Sequence, residues 1–249
     1  MRYFSSFRLK VIAIITMVID HIAVFLLADM GGSYGTAYDI MRGIGRLSFP
    51  IFCFLLVEGY YRTKNLLKYM LRLAAFAVIS QIPYSLAAHD KLIQFGKFNI
   101  FFTLFTGLVF IWLADTSIKL IKDSRKKATS ILCLMVSFGI IAVTMYFAVE
   151  IGLDYGWFGL ALILLFYFLR EKSEKYDDVR VRFFILALRS GALFILIHCF
   201  YYESEIYALF ALVPITAYNG EKGRSIRWFF YVFYPVHLLV IYGVKRLIL

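Results

Sequence analysis

Two residues eleven positions apart, Lys10 and His21, lie in one long apolar run. At 100° per residue, eleven steps bring a helix back to within about 20° of the same face, so the two side chains share a stripe. At 1.5 Å per residue they stand about 16 Å apart along it. A lysine ammonium suits a phosphate group, and an imidazole that titrates near neutrality suits a general base. The pair therefore fits a reaction on a long, phosphorylated donor whose reactive end lies far from its charged end.

The residues around this stripe extend the chemistry. Asp20 is one step around the helix from His21 and cannot pair with it, so it needs a partner from another helix, and Arg46 is the expected one. Glu58 stands four residues before Arg62, the spacing of an intrahelical ion pair. Arg46 and Asn99, with Thr103, have the right donors to hold an oxyanion. His237, in Phe-Tyr-Pro-Val-His, is a second candidate base, and Arg72, Gln81 and His198 are further polar residues in apolar surroundings.

What must position these residues is a membrane bundle. The chain has 249 residues, of which 62% are hydrophobic and 17% charged, well beyond the roughly 45–50% apolar share of soluble domains. A lipid core about 30 Å thick takes about 20 apolar helical residues. Nine runs qualify: 9–28, 44–60, 66–88, 98–114, 128–148, 153–169, 183–202, 205–218 and 228–247. The eighth is short enough to be re-entrant, which bounds the count at eight to ten. The expected fold is an all-α transmembrane bundle forming a single domain over residues 1–249. Inside lipid a charged side chain costs roughly 2.5–3.5 kcal/mol, so each of these charged residues needs a partner or a use. Pro50 is expected to bend the second run.

Basic residues set the orientation. With nine spans, the N-terminus through Lys10 and segments 61–65, 115–127, 170–182 and 219–227 fall on one side and hold 18 of the 27 Lys and Arg. By the positive-inside rule that side is cytoplasmic, with the C-terminus outside. Segment 119–127 has the composition of an interfacial amphipathic stretch. The protein is thus expected to be multi-pass in the cell (inner) membrane.

Several classes are excluded. The net charge of +11 is dispersed in short blocks between apolar runs, which is not a nucleic-acid-binding face. The first run contains Asp20 and His21 and lacks a small-residue cleavage site, so it reads as a span and not a signal peptide. Cys53, Cys133 and Cys199 are far apart in apolar runs and give neither a disulfide framework nor a metal set.

Longer blocks carry a resemblance. LKVIAIITMVIDH (9–21), GRLSFPIFCFLLVEG (45–59), RTKNLLKYMLRL (62–73), SQIPYSLA (80–87), FNIFFTL (98–104), DYGWFG (154–159) and FFYVFYPVHLL (229–239) resemble, in the same order, blocks of the TraX family, whose founding members acetylate the N-terminus of conjugative pilin. That family is more distantly similar to the membrane acyltransferases that O-acetylate surface polysaccharides and to the lysosomal heparan glucosaminide acetyltransferase. In the polysaccharide enzymes a basic residue, ten others and a histidine follow one another in the first helix, as Lys10 and His21 do here.

The resemblance implies transfer of an acetyl group from cytoplasmic acetyl-CoA, without a metal, to an amine such as a peptide or pilin N-terminus, or to a hydroxyl of a lipid or glycan. It points to His21 as base, with Asp20, Arg46, Asn99, Glu58 and His237 around the reaction and Lys10, Arg62, Lys64 and Arg72 near the CoA phosphates. A transporter or flippase with an intramembrane charged pathway is the alternative class, and a noncatalytic scaffold is a third.

Overall fold

The computed structural model describes residues 4–28, 35–122, 127–173, 203–224 and 227–248, with positions 178, 181, 184 and 185. Its helices are α1 (Ser6–Ile22), α2 (Gly35–Gly45), α3 (Ser48–Arg62), α4 (Leu66–His89), α5 (Ile100–Lys122), α6 (Lys127–Ile151), α7 (Gly156–Ser173), α8 (Leu212–Thr216) and α9 (Arg227–Ile248). A π-helical turn, Ala23–Leu27, extends α1, and a 3-10 helix, Glu203–Ala211, leads into α8. Extended pairing among the described residues is confined to two isolated bridges, Phe4 with Tyr218 and Phe98 with Leu153.

Among the described residues, six stretches are long and apolar enough to cross a membrane: Ser6–Leu27, Gly35–Arg62, Leu66–His89, Ile100–Lys122, Ala128–Ile151 and Trp228–Ile248. Gly156–Arg170 and Ile206–Thr216 are apolar but shorter. Apart from positions 184 and 185, the expected span 183–202, with His198 and Cys199, lies outside the described residues, as do parts of 119–127 and 170–182. The second span is longer than the sequence suggests and is broken at Arg46 and Leu47 between α2 and α3. Pro50 is the third residue of α3, inside the first turn, where a helical N–H has no intrahelical partner and a proline costs little.

Local polar chemistry sets the helix ends. Ser5 caps α1 by accepting from the Arg8 N–H, and Asn65 caps α4 by accepting from the Lys68 N–H at 2.8 Å. Asp90 ends α4 in the left-handed region, φ +52°, with its N–H returned to Leu86 and Ser85 carbonyls.

The chain ends divide between two faces. On the first, the Phe4 N–H donates to the Ala217 carbonyl, Asn219 N–H donates to Phe4, and Arg62 donates to the Gly220 carbonyl at 2.8 Å. The N-terminus, the α3–α4 turn and the segment before α9 therefore share that face. On the opposite face, the Phe98 N–H donates to the Gly152 carbonyl, joining the α4–α5 and α6–α7 connections, and Lys245 near the C-terminus pairs with Asp90 at 2.8 Å. Helices α1 and α9 consequently run in the same direction. Lys10 lies over the Phe230 ring while His21 meets His237 further along both helices.

The core lies between α1, α3, α4, α5, α7 and α9, around fully buried Leu9, Ile51, Phe54, Leu108, Ile111, Phe166 and Tyr167. α6 packs on α5 and α7 through a small separate cluster with Phe110, Ile141, Ala148 and Leu160, and its other face is exposed and apolar, as a lipid-facing helix requires.

Candidate functional site

The stripe drawn from Lys10 to His21 faces α9. Lys10 Nζ stands 5.1 Å from the Phe230 ring centroid, and His21 Nδ1 stands 2.7 Å from His237 Nε2. The two imidazole planes differ by 5° with centroids 5.0 Å apart. A 2.7 Å N···N distance accounts for all of that separation except about one ring radius at each end. The rings thus lie side by side in one plane, sharing an aligned hydrogen bond, and do not overlap. Phe25 and Tyr234 close around His21.

His21 lines a cavity of about 560 Å³ with Asp20, Arg42, Arg46, Tyr84, Lys97, Asp154, Tyr155 and Tyr234. Its polar rim belongs to the face carrying residues 90–99 and 151–156, opposite the N-terminus. His237 is buried behind His21 at 7% exposure. Directly after His21 the helix widens into the π-turn, a local expansion often found at functional sites.

Asp20 has a partner other than the expected one. Arg42, one helical turn before Arg46, donates to its carboxylate at 2.6 Å, while Arg46 acts on Asp20 at longer range and also lines the cavity. Positions four apart lie on the same helix face, so spacing alone cannot say which of two arginines reaches across. α2 comes close enough for this pair because Gly45 packs against Asp20, where a Cβ would overlap the carboxylate.

Asp154, in the block DYGWFG, enters the cavity from a tightly fixed turn. Gly152, Tyr155 and Gly156 all have positive φ, +82°, +60° and +49°, and Gly152 lies against the Gly96 carbonyl where a side chain would not fit. Thr103 donates to the Asp154 carbonyl at 2.7 Å, and the Tyr155 ring stacks on Phe49 at 3.8 Å. Burial pushes the Asp154 carboxyl up to about 6, and the nearby Asp20 charge adds to the rise. Tyr84 and Tyr234 are further lining residues that sequence reasoning passed over, because tyrosines are abundant at membrane interfaces and carry no spacing signal.

The remaining candidates lie elsewhere. Asn99 is fully buried and donates its amide hydrogens to the Ala77 carbonyl and Gln81 Oε1, while its Oδ1 accepts from the Phe101 N–H at the start of α5. Its donors are spent within the bundle, and Thr103 is committed to Asp154. Glu58, 1% exposed, receives Arg62 at 2.9 Å and Arg170 at 2.5 Å near the first face. Arg62 also sits over the Tyr218 ring, Lys64 is exposed in the α3–α4 turn, and Arg72 lies over the Tyr69 ring on α4. Lys10, Arg62 and Lys64 thus belong to the N-terminal face, and His21, His237, Asp20 and Arg46 to the cavity region.

The family model described as "TraX protein" matches residues 5–245. The chain belongs to the TraX family. One relative, the "Probable fimbrial assembly protein FimC, serogroup H1" of Dichelobacter nodosus, is 33% identical over 97% of this chain and 96% of its own length. An uncharacterized protein of Rickettsia prowazekii (strain Madrid E) is 32% identical over 44% of this chain and 38% of its own. No solved structure matches this TraX chain significantly.

Proposed function

We propose that this TraX-family protein is an integral-membrane acetyltransferase that moves an acetyl group from acetyl-CoA to an acceptor amine, with His21 as general base. The observation that carries the reading is the placement of His21 in the cavity wall, with its Nδ1 held by His237. In the proposed step the acceptor nitrogen attacks the thioester carbonyl while His21 Nε2 takes its proton. The C–N bond forms, the tetrahedral intermediate expels the thiolate as the C–S bond breaks, and His21 returns the proton to sulfur. Arg46, which lines the cavity, supports the oxyanion in this scheme.

The basic residues of the N-terminal face, with Lys10 nearest the His21 stripe, would hold the CoA phosphates, and the acceptor would enter from the opposite face. The topology that goes with this scheme has nine crossings, a cytoplasmic N-terminus and a location in the cell membrane. A peptide or pilin N-terminus is the favoured acceptor, because the family resemblance points to pilin and a full-length relative is named for fimbrial assembly.

The test uses purified protein in detergent with labelled acetyl-CoA and short peptides bearing a free N-terminus. Label should reach the peptide amine, and His21→Ala should cut transfer by roughly 10²- to 10⁴-fold while acetyl-CoA still binds. Wild-type protein that neither binds nor turns over acetyl-CoA would overturn the proposal.

A further inference from the structure

We propose that His237 is a positioning residue that selects the tautomer of His21, through a hydrogen-bond chain running from the Phe233 carbonyl to His237 to His21. The inference rests on the acetyl-transfer reading for its catalytic consequence, but the chain itself is a property of the fold.

The direction of each bond follows from what each atom can do. The Phe233 carbonyl has no proton to give, and it lies 3.0 Å from His237 Nδ1. His237 Nδ1 is therefore the protonated nitrogen of that ring. In a neutral imidazole the other nitrogen then carries a lone pair, so His237 Nε2 accepts. Its partner at 2.7 Å, His21 Nδ1, must donate. The proton of a neutral His21 is consequently fixed on Nδ1, and Nε2, the remaining nitrogen of the residue that lines the cavity, holds the lone pair.

Such a chain works in both halves of a proton-transfer cycle. While His21 waits, it keeps the lone pair on the nitrogen available to a substrate. When Nε2 takes a proton, the imidazolium keeps donating from Nδ1 to a fixed acceptor, so no ring flip is needed before the proton is returned. A buried carboxylate performs the corresponding orienting role in serine hydrolases; here a neutral imidazole, itself anchored to a backbone carbonyl, takes the place of a charge that lipid surroundings would penalise. The anchor is local: Phe233 is one turn before His237, and its ring lies within 10° of parallel to the His237 ring with centroids 5.2 Å apart.

The experiment has a spectroscopic arm and a kinetic arm. With histidine labelled by 15N, two-bond nitrogen–proton couplings distinguish the two neutral tautomers, and single substitutions assign the signals of the chain's four histidines. Detergent-solubilised wild-type protein should show His21 protonated at Nδ1. His237→Gln, whose side-chain oxygen can still accept, should preserve that tautomer and most of the transfer rate. His237→Leu should release His21 to the Nε2-protonated form and lower kcat by about 10²-fold, with the KM for acetyl-CoA unchanged.

Wild-type His21 protonated at Nε2 would overturn the proposal, as would a His237→Leu protein that keeps both the Nδ1 tautomer and full rate. Equal losses in the Gln and Leu variants would also count against it, since a packing role makes no distinction by acceptor. If wild-type protein transfers no acetyl group, the functional reading fails while the tautomer measurement still decides the hydrogen-bond chain.

Discussion

Arg42 on α2 donates to the carboxylate of Asp20 on α1 at 2.6 Å, with the two side chains only 20% and 16% exposed. Removing one member leaves the other partly buried without its counter-charge, which costs more than the pair gains. Arg42→Met should lower stability by about 1–3 kcal/mol, given the residual exposure of both groups. Asp20→Asn in the same background should recover part of that loss. The check is a double-mutant cycle of thermal unfolding in detergent, and strictly additive losses would show that the pair is not coupled.

Gly45 should tolerate no side chain. A Cβ there overlaps the Asp20 carboxylate, whereas at Gly35 at the start of the same helix it meets nothing within 4 Å. Gly45→Ala should therefore lower the unfolding temperature and disturb the Asp20–Arg42 pair, while Gly35→Ala should not. Equal unfolding temperatures for the two variants would mean that α1 and α2 are further apart than described.

How legible this was in the sequence depended on whether a relationship was local or crossed the bundle. The α1 stripe of Lys10 and His21 follows from helical period alone, and both residues do face one neighbour. That the neighbour is α9, and that His21 meets His237, depends on packing between segments 216 positions apart. Arg46 was the expected partner of Asp20 and Arg42 is the bonded one, because a four-residue shift preserves the face and only the crossing of α1 over α2 fixes the height. Asn99 has the composition of an oxyanion donor, yet a buried asparagine at a helix start is drawn to the backbone groups around it. Asp154 gave no periodic signal, since a turn held by three positive-φ residues has none.

Asp154 predicts an inverted pH response. Its carboxyl, raised from 3.8 to about 6 by burial, ionises in the native state at higher pH than in the unfolded chain. Between those values the native protein binds more protons, so wild type loses stability as pH rises through that window. Asp154→Asn can still accept from the Tyr155 N–H and has no charge to desolvate. The variant should be more stable than wild type by about 1–3 kcal/mol at pH 7.5, with the difference gone below about pH 4. A thermal-unfolding series over that range checks it, and a variant less stable than wild type at pH 7.5 would reverse the sign.

The two faces of the bundle predict sidedness. Single cysteines at Thr63 and Lys222, on the face of the N-terminus, should label together from the cytoplasm. Cysteines at Lys91 and Gln94, in the α4–α5 connection, should label only from outside. Labelling of Thr63 and Gln94 from the same side would contradict the direction of α4.

Lys10 and Arg62 separate two ways in which a basic residue can serve an anionic donor. The Arg62 guanidinium already donates to Glu58 and to the Gly220 carbonyl, so recruiting it to a phosphate means competing with bonds that hold α3 to the segment before α9. Lys10 lies over the Phe230 ring on the stripe it shares with His21, so a phosphate bound at its ammonium stands in line with the proposed base. Acetyl-CoA affinity should therefore fall more for Lys10→Gln than for Arg62→Gln, by about 10-fold against about 3-fold, while Arg62→Gln should cost more in thermal stability. Wild-type affinity should also weaken with salt more steeply than that of Lys10→Gln, because the variant has lost one screened contact. Titration of both proteins at two ionic strengths measures this directly, and an unchanged affinity and salt response in Lys10→Gln would remove Lys10 from the donor site while leaving His21 and His237 to be judged on their own evidence.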